Sequence, residues 1–292
     1  MKQIDLVKYT FKYLIVNKPS GIQTDGFHGS SLLPQVFKIF KSLHPDKKKI
    51  DKFQLVQRLD KYVTGGLIVS RDEKFTKRIN KCLAGKPLSL AVCRRYVGLI
   101  PLPSLDSLNV PVDLLNCGTI SYDIKLVKDR TREIYLYPAE TKFKVLPHLK
   151  VAPTSWQLAK YPLLYVADTF IYPIILELTT GRKNQIRDHI LQAFGRPLMN
   201  DDNFSKFKLL SKDPDSASAK INSVAFKSNQ IGLHSAYMKL CTSTKNLEEI
   251  VFPIHDIEDR ELWTGFVDQN GQLIESLKQE LVNFDPKYSI ST

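Results

Sequence analysis

The sequence predicts an α+β fold, and three observations carry that expectation. Short apolar runs such as YLIVNKPSG (13–21), GLIVS (66–70) and IILELTTGR (174–182) read as buried strands, the first and last of them stopped by proline or glycine. Other stretches, SLLPQVFKIFKSL (31–43) and EKFTKRINKCLAG (73–85) among them, carry apolar residues at helical spacing. The two kinds mix without the regular strand–helix alternation of a doubly wound sheet.

Taken in order, YLIVNKPSG is a short buried strand stopped by Pro19 and Gly21. Residues 31–43 follow as a helix with Ser30 or Ser31 as its cap. HPDKKKIDK (44–52) is a charged, solvated connection. QRLDKYVTGG leads into the strand GLIVS, and residues 73–85 form an amphipathic helix ending at Gly85. RRYVGLIP (94–101) is strand-like. In IYLYPAETKFKVLP (134–147) alternating positions suit an antiparallel strand, and HLKVAPTSWQLAKY (148–161) resembles an inserted loop. IILELTTGR is a strand leading to a turn at Gly181, and RKNQIRDHILQAFG (182–195) a helix ending at Gly195. SKDPDSASAKINS (211–223) is a polar excursion, and IGLHSAYMKLC (231–241) a strand. From about Ile254 the chain is acidic and amphipathic, with no turn-rich linker cutting it off. The expected organisation is a segment 1–12, one catalytic domain over 13–253, and an extension 254–292 packed on it.

Composition narrows the partners. The chain has 292 residues with 42 lysines and arginines against 30 acids, a net charge of +12 that attracts polyanions, nucleic acid first among them. The cysteines, Cys82, Cys93, Cys117 and Cys241, are scattered and form no CxxC pair, which argues against a disulfide framework and a structural zinc site. No histidine pair has HxxxH or HExxH spacing, so no metal is expected. No apolar run is long enough to span a membrane.

The chemistry concentrates in RLDK. A loop that only had to turn would not need Arg58, Asp60 and Lys61 directly ahead of a buried strand. Taken alone, Asp60 is a plain loop carboxylate. With NKPSG, QRLDKYVTGGLIV, RRYVGL, LTTGRKNQIRDH, GRPLMNDDNF and LHSAYMKL in this order, the chain resembles the RluA-type RNA pseudouridine synthases over roughly residues 12–253. AETKFKVL (139–146) resembles a further strand of that family. The VTGG variant and the Gln before RLD resemble the fungal mitochondrial members that act on large-subunit rRNA, as does the expectation that no RNA-binding domain stands ahead of NKP.

The resemblance implies a mixed, largely antiparallel sheet flanked by helices and loops, with a central RNA-binding cleft and Asp60 at its floor. It implies a cofactor-free isomerisation in which uracil leaves its ribose, rotates and rejoins through carbon 5. Asp60 is then the catalytic carboxylate, either attacking C1′ of the ribose or assisting a glycal-type route. An ionised carboxylate in a partly dry site needs a cation close by; Arg187 matches the family arginine that supplies it. Tyr96 matches the tyrosine that packs on the target base, with a role in the final deprotonation. Because the target must be flipped out of its stack, Arg58 matches a residue that fills the vacated space. Lys18, Lys61 and Arg182 are expected as phosphate contacts on charge alone. The implied partner is RNA, rRNA ahead of tRNA, bound by a monomer in the mitochondrion, with the cytoplasm or nucleus as the alternative location, and with no membrane and no metal.

The chain departs from the family pattern at Gln57 and Asn184, which stand where histidines are usual. Gly65 replaces a serine, Gly98 an alanine, Asn200 a glycine and Phe204 a tyrosine. These bear on loop geometry and substrate preference rather than on the reaction. The competing reading is a catalytically inactive RNA-binding or ribosome-assembly protein of the same fold. Keeping Asp60, Tyr96 and Arg187 together argues against it, and no second catalytic carboxylate stands at a spacing that would favour an unrelated hydrolase. His189 and His234 are expected to be structural.

Overall fold

The computed structural model describes residues 2–26, 29–45, 52–83, 91–103, 117–127, 134–153, 169–201, 230–243 and 246–285. The expected excursion at 211–223, the end of the helix at Gly85, Phe204, and most of the connections at 44–52 and 148–161 lie outside them. The chain divides into two compact units: Met1–Tyr96 with Ser228–Gln230 and His234–Val282, and Val97–Lys227 with Ile231–Leu233 and Asn283–Thr292.

The first unit is built on strands β1 (Asp5–Tyr9), β2 (Tyr13–Lys18), β3 (Gln54–Leu55) and β4 (Thr64–Ser70), with helices α1 (Leu32–Leu43) and α2 (Glu73–Leu83). β1 pairs antiparallel with β2, and β2 with β4 in the register Val16–Leu67 and Asn17–Gly66. Every residue of β2 and β4 is buried, which is why the centre of each reads as a continuous apolar run rather than an alternating one. β11 (Leu233–Ser243) pairs with β4 in parallel, and β12 (Asn246–Val251) antiparallel with β11. The sheet is therefore mixed and largely antiparallel, as expected. Its core joins Tyr13, Ile15, Ile68, Phe75, Ile79, Met238 and Phe252. The chain from Ile254 closes this unit with helices α4 (Ile257–Arg260) and α5 (Glu275–Val282); Leu277 and Leu281 of α5 and Trp263 of the turn between the helices are buried.

β5 (Ala91–Pro103) carries the chain from the first unit into the second. There β6 (Cys117–Ile120), β9 (Thr141–Val145) and β10 (Thr169–Leu178) form an antiparallel set. β7 (Ile124–Val127) and β8 (Ile134–Tyr137) make a separate ribbon. The segment 134–147 thus holds two strands, broken at Pro138, which has no N–H for a ladder. Helix α3 (Gln185–Phe194) ends at Gly195 in the left-handed region, φ 66°.

Two helix starts differ from expectation. Ser31 has N-cap backbone angles at α1, but its hydroxyl donates to the Gly26 carbonyl instead of capping. α3 begins at Gln185 rather than Arg182, because Asn184 is left-handed at φ 57° and the Gln185 side chain accepts from the Arg182 N–H (2.9 Å).

Candidate active site

Asp60 stands half-buried on the loop between β3 and β4, and the peptides on either side of it are held by a second loop, residues 19–25. The Thr24 hydroxyl donates to the Leu59 carbonyl at 2.5 Å and accepts from the Leu59 N–H at 3.2 Å. The Gly21 N–H donates to the Lys61 carbonyl at 2.8 Å, and Val63 N–H to the Asp60 carbonyl at 3.1 Å. The carboxylate is therefore mounted on backbone that is pinned before and after it, which restricts its position.

Lys18, expected as a phosphate contact, is fully buried. Its ammonium donates to the carbonyls of Pro19 (3.1 Å), Ile22 (3.0 Å) and Lys61 (3.1 Å), which uses all three N–H donors and leaves none for a phosphate. Burial pulls its pKa down to about 7, against the attraction of Asp259 and Asp60. Within the first unit the negative charge of Asp60 thus favours the protonated form of Lys18 that burial opposes. The other two basic neighbours are exposed. Arg58 pairs with Asp25 at 2.7 Å, and the Lys61 ammonium lies 5.2 Å from the centre of the Tyr62 ring. Exposed pairs of this kind are weak and exchange readily for another anion. Tyr96 is buried in β5, at the last residue of the first unit's leading segment.

In the second unit, Arg187 forms a two-pronged ion pair with Asp201, Nε to Oδ2 and Nη2 to Oδ1, both at 2.7 Å and both side chains buried. Its Nη1 also donates to the Asn184 side chain at 3.3 Å. Gln185 ties the glycine–arginine turn to β9: its amide nitrogen donates to the Glu140 carbonyl and Thr141 hydroxyl, while its oxygen accepts from Thr180. Arg182 is exposed and lies over the Tyr137 ring at 5.3 Å, a flat cation on an aromatic face. His189 bridges Thr141 Oγ1 and the Tyr122 carbonyl, and burial lowers its pKa. In the first unit His234, fully buried, bridges Thr64 Oγ1 (2.8 Å) and the Phe252 carbonyl (2.8 Å). Both histidines are anchors within their units.

The departures from the family pattern have local reasons. Asn200 has φ 59°, and asparagine is the side chain best tolerated there after glycine. A Cβ at Gly98 would stand 2.9 Å from Leu198 and 3.0 Å from Ile174. At Gly65, φ is 112° and a Cβ would come within 2.3 Å of the Ser235 carbonyl oxygen, so no other residue fits. Gln57 accepts from Arg94 (3.0 Å), a role open to a neutral side chain.

Three residues of these networks were not singled out by the sequence: Thr24, Asp201 and Asp259. Asp259 is fully buried and accepts from the Ser20 N–H at 2.9 Å and from Lys2 at 2.7 Å. Thr24 lies 35 positions from its partner and Asp259 lies 239 from Ser20. No local pattern signals such pairs. Asp201 did have a signal, its place in the GRPLMNDDNF block.

Among the described residues no group of histidine, cysteine or acidic side chains could hold a metal ion, and no helix is long and apolar enough to cross a membrane. The RNA pseudouridylate synthase family matches residues 12–192. The chain is 40% identical to the 21S rRNA pseudouridine(2819) synthase of Candida albicans, over 89% of this chain and 100% of that protein. It is 26% identical to the protein of the same name from Saccharomyces cerevisiae, over 97% and 98%. The solved structure of human RNA Pseudouridylate Synthase Domain Containing 4 matches with TM-score 0.58 at 15% identity, over 89% of this chain and 93% of that one. Domain Containing 1 matches with TM-score 0.57 at 16% identity, over 98% and 97%.

Proposed function

The chain belongs to the RNA pseudouridylate synthase family, and we propose that it isomerises one uridine of mitochondrial large-subunit rRNA, with Asp60 as the catalytic carboxylate. The observation that carries the choice of RNA is the match to the Candida albicans 21S rRNA enzyme, which runs the full length of that protein. A mitochondrial location follows from that substrate.

In this reaction the N1–C1′ bond breaks, the base turns, a C5–C1′ bond forms, the C5 proton leaves and N1 takes one up. Nothing is oxidised. The protein has only to break one bond while holding the detached base, so position matters most. The pinned peptides at Leu59 and Lys61 support such a role for Asp60, whether it attacks C1′ or assists the glycal-type route. Tyr96 is assigned to the target base, as a flat face and as acceptor of the C5 proton. The family motif gives Arg187 the partnership with Asp60. Arg58 enters the space left by the flipped nucleotide, exchanging its surface pair with Asp25 for RNA, and Lys61 and Arg182 meet phosphates. Lys18 takes a positioning role in place of the phosphate contact expected of it.

The test is to map pseudouridine by carbodiimide-blocked primer extension on a large-subunit rRNA transcript. Wild type is expected to give a single stop, and Asp60→Asn none, with RNA affinity unchanged within about threefold. Equal loss of binding and turnover in Asp60→Asn would contradict the assigned role.

A further inference from the structure

Asp259 belongs to the chain beyond Ile254, on the short helix α4, outside every motif that marks the catalytic domain. It is nonetheless wholly buried beside the loop that holds Asp60. One carboxylate oxygen accepts from the Ser20 N–H at 2.9 Å and the other from Lys2 at 2.7 Å. Its charge also acts on the Lys18 ammonium, as does that of Asp60. From Ser20 the path to Asp60 is short. Gly21 follows Ser20 and Lys18 stands two residues before it, and both donate to the carbonyl of Lys61, the residue after Asp60.

Asp259 is itself fixed. Its N–H donates to Asp256 Oδ1 at 3.1 Å. With the amide turned so that its donor faces an acceptor, Gln230 donates to the Asp259 carbonyl at 2.7 Å and accepts from the Trp263 indole at 2.9 Å. A small cavity of about 200 Å³, lined in part by Asn17, Lys18, Pro19, Asp256 and Asp259, adjoins this layer.

We propose that Asp259 is a positioning residue for catalysis: through the Ser20 N–H it sets the loop that holds Leu59 and Lys61, and hence Asp60. The C-terminal chain is then a working part of the active site. This rests on reading Asp60 as the catalytic carboxylate.

The test uses the full chain with Asp259→Ala and Asp259→Asn, the second keeping the volume and an acceptor for Ser20. Turnover is measured well below each variant's melting temperature, alongside amide hydrogen exchange at Gly21, Leu59 and Val63. Asp259→Ala is expected to lower kcat at least tenfold with KM and RNA affinity within twofold, Asp259→Asn to fall between it and wild type, and both to speed exchange at the three amides. Unchanged kcat per folded molecule with unchanged exchange would overturn the proposal, whatever the loss of melting temperature. Should Asp259→Ala fail to fold, Asp259→Asn decides by the same two readouts. If wild type itself shows no turnover, the reading of Asp60 fails and the catalytic role of Asp259 with it; faster exchange would then record only a mechanical link.

Discussion

At the scale of single residues, buried charge decides where the chain is sensitive. His234 is neutral in the fold: burial pushes its pKa from 6.5 to about 4, with Nε2–H donating to the Phe252 carbonyl and Nδ1 accepting from Thr64. The unfolded chain takes up this proton below about pH 6.5 and the folded chain only near 4. Its contribution is therefore complete above pH 6.5 and lost as pH falls towards 4, by up to about 3 kcal/mol. Urea titrations at pH 7, 5.5 and 4.5 should show the decline, and His234→Gln should flatten it relative to wild type; parallel declines in the two proteins would contradict this. Arg187 is the second case. Arg187→Met leaves the Asp201 carboxylate buried without its two-pronged partner, at a cost of about 3–5 kcal/mol. The urea midpoint should drop accordingly, and an unchanged midpoint would mean that Asp201 is compensated elsewhere.

At the scale of elements, the strands that carry the site were the most legible part of the sequence. β2 and β4 are buried along their whole length, so each centres on a continuous apolar run, Leu14–Val16 and Leu67–Val69, and the runs announce themselves. The loop between β3 and β4 was legible as chemistry because RLDK puts charges where a turn has no use for them. What holds that loop was not. Lys18 looked like a phosphate contact because a lysine beside a motif reads as surface charge; its burial comes from three carbonyls brought around it only by the fold. The start of α3 was misplaced because a left-handed Asn184 cannot be read from periodicity. The fold supplies the reason for glycine at position 65: β11 lies in parallel register against it, Ser235 opposite Gly65. Gly65→Ala combines a φ of 112° with a Cβ 2.3 Å from the Ser235 carbonyl oxygen, and should destabilise by more than about 2 kcal/mol. A melting temperature within a degree of wild type would show that β4 and β11 can separate at little cost.

At the scale of the whole molecule, the net charge of +12 and the family agree on an RNA partner but do not by themselves require chemistry. An inactive relative could keep the charge and the fold. It would have no use for a carboxylate mounted between two pinned peptides, with a buried lysine and a distant aspartate maintaining the mount. The departures from the family pattern leave that mount intact: Gln57, Gly65 and Asn200 each satisfy a local backbone or hydrogen-bond demand. We propose that Asp60 is the group through which this chain moves a glycosidic bond from nitrogen to carbon. Isomerisation must expel the hydrogen at carbon 5 of uridine, and binding cannot. The most direct measurement is tritium release from mitochondrial large-subunit rRNA transcripts labelled at that position. Wild type should release one tritium per modified site and Asp60→Asn none. Tight binding of the labelled RNA by wild type without release, or equal release by Asp60→Asn, would contradict the account.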